Sequence, residues 1–310
     1  MPKNKRKKFN TLEQKNQKKI DNKSHTSLSV VSSINSETYS NNKKDKYEIG
    51  EILGKGAYGL VRLVTNKLNK EKYAMKIYDK VKLNSDSKLN SVFREIEILK
   101  NCNHENIVKL IEVINTKKQI LIVQELIEGI SLREYYNNEI RGQKGISEHK
   151  SIIFKKIFKQ IFNAMDYLHK NNMAHRDIKL ENILINKNYL IKILDFGFGM
   201  YNPDNILQTF YCGTPNYMAP EIAMKKPYIG QNADLWSLGV LVYKIFAADF
   251  PFKGKSENDL YRVIEIGKFN MPDFVPKYAK KIICSLIVVD PNKRISCEKV
   301  LNSSWLKDEN

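Results

Sequence analysis

Residues 175–182 read HRDIKLEN, between the apolar runs MDYLHKNNMA before and ILIN after. Six of the eight side chains are charged or polar, and Ile178 and Leu180 are the aliphatics. A solvated turn is the simplest account of so much charge between two segments built for burial. Phosphate chemistry is the sharper one. Asp177 and Asn182 are five positions apart with Lys179 between them, and LIKILDFG follows at 190–197 with Asp195 near its end. An Asp to receive a hydroxyl proton, a Lys to neutralise phosphate, and an Asn with a second Asp to hold a metal make a phosphoryl-transfer set. Such transfer needs mainly positioning and charge neutralisation, so charge in a supported loop is what it requires.

The segments upstream fit this reading. YEIGEILG, GLVRLVTN and EKYAMKIYD, from Tyr47 to Asp79, predict three strands of an antiparallel meander. The first turn, GKGAYG at 54–59, carries three glycines that let backbone N–H groups approach phosphates. A strand follows this turn where a dinucleotide fold would place a helix. On the third strand Ala74, Lys76 and Tyr78 share one face, opposite Tyr73, Met75 and Ile77. Lys76 would therefore point toward the glycine turn, with Glu95 on the next helix as a candidate partner. That helix is predicted over SVFREIEILKNC, 91–102, from Val92, Phe93, Ile96 and Leu99. IVKLIEVIN (107–115) and QILIVQELI (119–127) read as further strands, and the pattern turns helical from about residue 131. Long helices are predicted at 147–170 and 233–248.

With these residues in place, the chain resembles the eukaryotic protein kinase family from residue 47 to about 306, closest in pattern to its calcium/calmodulin-dependent and AMP-activated types. The resemblance implies an α+β, bilobal fold: a small β-rich lobe with one key helix at about 47–128, a larger helical lobe at about 129–306, and a short end at 307–310. It implies ATP and Mg2+ as cofactors and protein Ser or Thr hydroxyls as acceptors, since DIKLEN is similar to the serine/threonine branch. Asp177 would be the base and Lys179 its catalytic companion, with Asn182 and Asp195 holding magnesium. Leu53, Gly54, Lys55, Gly56, Ala57, Tyr58, Gly59, Leu60 and Val61 would cover ATP. Lys76 would contact its α- and β-phosphates and pair with Glu95. Ala74 and Leu184 would enclose the adenine, with Glu125 and Ile127 as hinge contacts and Gln124 as gatekeeper. Glu221 of APE would pair with Arg294.

The same resemblance extends to regulation and specificity. Arg176 and Arg94 match a pocket that receives a phosphate from the activation segment LQTFYCGTPNY, 207–217. The usual Thr position holds Phe210, so Thr209, one residue earlier, is the expected site of an upstream kinase. Phe198 and Thr214 would act on the acceptor residue, Phe198 favouring Ser. Glu181 resembles a carboxylate that takes an upstream Arg, but its usual acidic companions are replaced by Ser131 and Lys244. A modest demand for Arg is therefore expected.

Composition bounds the alternatives. The chain has 310 residues and a formal charge of +18. Residues 1–46 hold twelve Lys or Arg against four Asp or Glu, a net of +8. This Lys/Asn/Ser-rich tail has too little apolar surface to offset its ordering entropy and is expected to be disordered. Lys3–Lys8 would suit an anionic surface or nuclear import. No apolar stretch follows the basic start, so a secretory signal is not expected, and Pro2 excludes N-myristoylation. No run is long enough for an integral membrane segment. Cys102, Cys212, Cys284 and Cys297 form no CxxC pair, which points to a reducing, cytoplasmic or nuclear location. A nucleic-acid-binding protein would carry its charge on the folded part with exposed aromatics. An ATP-binding pseudokinase scaffold would lack Lys76, Asp177 or Asp195, and all three are present.

Overall fold

The computed structural model describes residues 45–55, 59–143 and 145–307. Almost all of the basic tail lies outside them, as do Gly56, Ala57 and Tyr58 of the glycine turn. The first five strands are β1 (Tyr47–Lys55), β2 (Gly59–Asn66), β3 (Lys72–Asp79), β4 (Leu110–Asn115) and β5 (Gln119–Glu125). They form one antiparallel sheet in the order β1-β2-β3-β5-β4. β5 lies inside the sheet, and its period-two pattern feeds both faces. Ile120 and Ile122 pack with Val92, Phe93 and Ile96 of α1 (Asp86–Asn101), while Leu121 and Val123 join Val64 and Met75 opposite.

Several boundaries differ from expectation by a few residues, and two of these have a clear physical cause. α1 starts at Asp86, five residues before the predicted stretch, because its first turn is polar and exposed and carries no apolar period. Ile107 and Val108 leave the sheet: Ile107 bridges Ile193, and the Val108 amide donates to the Ile193 carbonyl at 3.0 Å. Both side chains are buried in the core of the second lobe, which outweighs their β-branched preference for continuing β4.

The second lobe contains β6 (Ile130–Ser131), α2 (Leu132–Glu139), α3 (Glu148–Lys170), β7 (Met173–Ala174), β8 (Ile183–Ile185), β9 (Ile191–Ile193) and β10 (Met200–Tyr201), then α4 (Pro220–Ala223), α5 (Gly230–Ala247), α6 (Glu257–Ile266), α7 (Lys277–Leu286) and α8 (Cys297–Leu301). α3 buries Phe154, Ile157, Phe158, Ile161, Phe162, Met165 and Leu168, the three-and-four spacing of one helical face. Ser147 caps it by accepting from the Lys150 amide. α5 is buried nearly all round, with Trp236 at its centre, and ends at Ala248 in a left-handed conformation, φ 57°. β8 and β9 pair Ile183 with Ile193, which sets HRDIKLEN on one side of the hairpin and Asp195 on the other. No helix among the described residues is long and apolar enough to cross a membrane.

Candidate active site

The strand parity of β3 puts Lys76 and Tyr78 on the same face, and both bind Glu95 of α1. The Lys76 ammonium is paired directly with Glu95, and the Tyr78 hydroxyl donates to Glu95 Oε2 at 2.9 Å. Glu95 is only 1% exposed, so its charge is matched by two donors inside the fold. Lys76 Nζ also lies 3.9 Å from Asp195 Oδ1. Burial pulls the Lys76 pKa down, but Glu95 and then Asp195 outweigh it, and the net shift is upward. Burial, followed by the charge of Glu95, raises the Tyr78 phenol, which keeps it a donor. For Asp195 burial acts upward, but Lys76 and the Gly197 amide bring the net shift below the ordinary carboxylate value. One turn before Glu95, the Ser91 hydroxyl donates to the Gly197 carbonyl at 2.7 Å, tying α1 to the Asp195 loop.

Across the cleft the HRDIKLEN loop is hung from α5. Asp234, fully buried, accepts from the His175 amide at 2.9 Å and the Arg176 amide at 2.7 Å. The Asp177 amide donates to His175 Nδ1, so the proton sits on Nε2 and is donated to the Leu194 carbonyl at 2.9 Å. Arg176 and Asp195 both have φ 62°, a left-handed conformation unusual outside glycine and concentrated at functional sites. Asp177 is held from three sides. Lys179 Nζ donates to Oδ2 at 2.7 Å, the Thr214 hydroxyl donates to Oδ1 at 2.7 Å, and Asn182 Nδ2 donates to its carbonyl at 2.9 Å and to Oδ2 at 3.2 Å. Lys179 also donates to Thr214 Oγ1 at 2.7 Å, which closes the network.

A cleft of about 310 Å³ joins these parts: Gly54, Lys55, Gly59, Leu60, Val61, Lys76, Glu95, Asn182, Asp195 and Phe198 all line it. Leu53, Ala74, Glu125, Ile127 and Leu184 are not on that lining. Glu125 and Ile127 line a wider recess that holds none of Lys76, Asp177, Asn182 and Asp195, and the Glu125 side chain there takes Lys192 at 2.6 Å. Gln124 is 4% exposed, and its Nε2 has no hydrogen-bond partner. Glu221 and Arg294 form a buried two-point pair at 2.6 and 2.7 Å.

Three features were not legible in the residues taken one by one. Tyr78 shared a face with Lys76, so strand parity held the signal for its bond to Glu95. Ser91 stands four before Glu95, a helical spacing that held the second. Glu181 is occupied by Arg133, 48 positions away, and no local signal predicts that pairing.

The chain matches the protein kinase domain family over residues 47–306. It belongs to the protein kinase family. Over 269 residues it is 38% identical to NUAK family SNF1-like kinase 1 of Homo sapiens, covering 86% of this chain and 39% of that protein. It is 36% identical over 262 residues to serine/threonine-protein kinase SIK1 of Rattus norvegicus, covering 84% of this chain and 33% of that one. Identity to CBL-interacting protein kinase 31 of Oryza sativa subsp. japonica is 36% over 266 residues, covering 84% and 58%. The chain therefore spans between a third and three fifths of the length of these relatives. One of these names, that of SIK1, gives serine/threonine, the branch that DIKLEN resembles.

Proposed function

We propose that this chain transfers the γ-phosphoryl group of ATP to Ser or Thr hydroxyls of proteins, with Mg2+. The observation that carries the reading is the Asp177 carboxylate, fixed by Lys179, Thr214 and Asn182, with Asn182 itself lining the cleft that holds the Lys76–Glu95 pair and Asp195. Asp177 accepts the proton of the substrate hydroxyl as that oxygen bonds to the γ-phosphorus and the bond to the ADP oxygen breaks. Lys179 and Lys76 offset negative charge at the two ends of the transferring group. Asn182 and Asp195 fit the metal. Asn182 commits its Nδ2 to Asp177, which leaves Oδ1 for a cation, and the lowered pKa of Asp195 keeps it an anionic oxygen donor. Bound there, magnesium would neutralise phosphate oxygens.

An ATP-binding scaffold without transfer has less support, because the Lys76–Glu95 pair and the Asp177 network are both assembled. Phosphorylation of Thr209 by an upstream kinase is part of the proposal; Thr209 is exposed, and the two arginines nearby have no acidic partner among the described residues. The test is ATP turnover on a Ser-containing protein by purified full chain with and without Mg2+. Asp177→Ala and Asp195→Asn should lose it, and undiminished activity in Asp177→Ala would sink the mechanism.

A further inference from the structure

Next to the pocket around Asp177 and Thr214, with Tyr217 shared between the two, α2, the end of α5 and the 175–182 loop enclose a recess of about 250 Å³. Its lining carries three cations, Arg133, Arg141 and Lys244, and one carboxylate, Glu181. That carboxylate is not free. Glu181 Oε1 is paired with Arg133, and Oε2 is enclosed, with no hydrogen-bond partner and no opening to solvent. Glu181 is thus already matched by Arg133, and Arg141 and Lys244 leave the recess a positive excess.

Lys244 shows that excess most directly. Its ammonium stands 4.8 Å from the Tyr136 ring centroid and 4.4 Å from that of Phe250, so two aromatic faces hold it in place. Burial lowers its pKa; Asp249 acts in the opposite direction, and Lys253, Arg133 and Arg141 add to the lowering. The Asp249 carboxylate is itself engaged by Lys253, so it does not neutralise the recess. An anion placed here would gain from Arg141 and Lys244, with Arg133 already paired to Glu181.

We infer that this recess binds an anionic side chain of the protein substrate, a carboxylate or a phosphate, within about three residues of the acceptor. Tyr217 lines both this recess and the pocket around Asp177 and Thr214, and an extended chain covers about 10 Å in three residues, so one substrate segment can reach both. The inference rests on the kinase reading and reverses the sign of the expected preference for Arg.

The experiment compares peptides with one Ser acceptor, using the full chain, ATP and Mg2+. Flanking positions on either side carry Asp, Glu, phosphoserine, Arg or a neutral residue. Asp or Glu at the favoured position should lower KM about tenfold against the neutral peptide with kcat little changed. Phosphoserine should lower it further if phosphate is the natural ligand, because it carries nearly twice the charge. Lys244→Arg should retain the ratio of acidic to neutral peptide. Lys244→Glu and Arg141→Glu should abolish that ratio or invert it toward Arg. Turnover of the neutral peptide with no gain from acidic residues, or with a gain from Arg, overturns the inference alone. Absence of turnover on every peptide overturns the kinase reading and the inference with it.

Discussion

The guanidinium of Arg94 lies 5.4 Å from the centroid of the Phe210 ring, and that of Arg176 lies 5.8 Å from the same ring. An aromatic face thus occupies the place where a phosphate on the activation segment was expected to meet both arginines. The ring is held from behind, since the Tyr228 hydroxyl donates to the Phe210 carbonyl at 2.8 Å and accepts from Arg176 at 3.2 Å. The fit is incomplete. Burial lowers the Arg94 pKa, the nearby Arg176 charge adds to this, and Arg94 Nε is buried without a hydrogen bond.

Each cation–π contact contributes about 0.5–1 kcal/mol, whereas each hydrogen bond from arginine to a charged group contributes about 1.5–3 kcal/mol. A phosphate on Thr209 would therefore displace the ring. The expected outcome is that wild type treated with phosphatase keeps part of its activity. Phe210→Ala treated the same way should fall roughly tenfold further. Once phosphorylated, the two should be equal. Equal activity after phosphatase treatment would show that the ring does not stand in for phosphate.

Tyr78 offers a separate test of how Glu95 is positioned. Tyr78→Phe removes one hydrogen bond to a buried carboxylate and leaves the Lys76 pair, so kcat should drop about tenfold. Lys76→Met leaves Glu95 with Tyr78 alone and also strips charge from the phosphate end; a loss of at least about a hundredfold is expected. Steady-state kinetics of the two variants checks both. If Tyr78→Phe matches wild type in kcat and in KM for ATP, the phenol is only a packing group.

How far these features were legible depended on whether their cause is local. β2 was read at its observed bounds, Gly59–Asn66, because alternation along one strand is local. Lys76, Asp177, Asn182 and Asp195 stand out in the sequence because their types and order fit phosphoryl transfer, and contacts join them in pairs: Lys76 lies 3.9 Å from Asp195, and Asn182 donates to Asp177. Ile107 and Val108 depart from the expected strand because composition favours a strand without naming its partner, and burial in the other lobe sets them against β9. The capture of Glu181 by Arg133 depends on the angle between α2 and the catalytic loop, which no local pattern encodes. Nor did the one-residue offset between Thr209 and Phe210 reveal that the ring would turn onto both arginines.

The cysteines give a pH prediction. Burial raises the thiols of Cys102, to about 12, of Cys212 and of Cys297, while Cys284 is exposed. At pH 8 a thiol-alkylating reagent should modify Cys284 in the native protein within minutes and leave the other three largely unmodified. A thiol raised in the folded state contributes stability that is fully present below its unfolded value, near 9, and is lost as pH rises toward the folded value. Denaturant midpoints should therefore fall above pH 9. Peptide mass mapping and urea titrations at pH 8 and 10 check the two outcomes, and rapid modification of Cys297 in folded protein would contradict the burial account.

Asp234 links the helical core to the chemistry without facing the cleft. Its carboxylate accepts the His175 and Arg176 amides and lies 3.1 Å from His169 Nε2, so it fixes the backbone immediately before Asp177. Asn is nearly the same shape but has one oxygen, so Asp234→Asn turns an NH2 group toward a backbone N–H. That leaves a buried donor unpaired, at a cost of about 1–3 kcal/mol. The positive φ of Arg176 depends on the same anchor, and relaxation there would move the Asp177 carboxylate away from Thr214 and Lys179. A displacement near 1 Å lowers rate by about a hundredfold. Asp234→Asn should therefore lose kcat by about that factor while KM for ATP changes little, because Lys76, Glu95 and the glycine turn belong to the other lobe. Far-UV circular dichroism and a urea midpoint would establish that the variant is folded, and kinetics would then read the rate. Wild-type kcat in a folded but less stable variant would mean that Asp234 supports the fold and does not position the base.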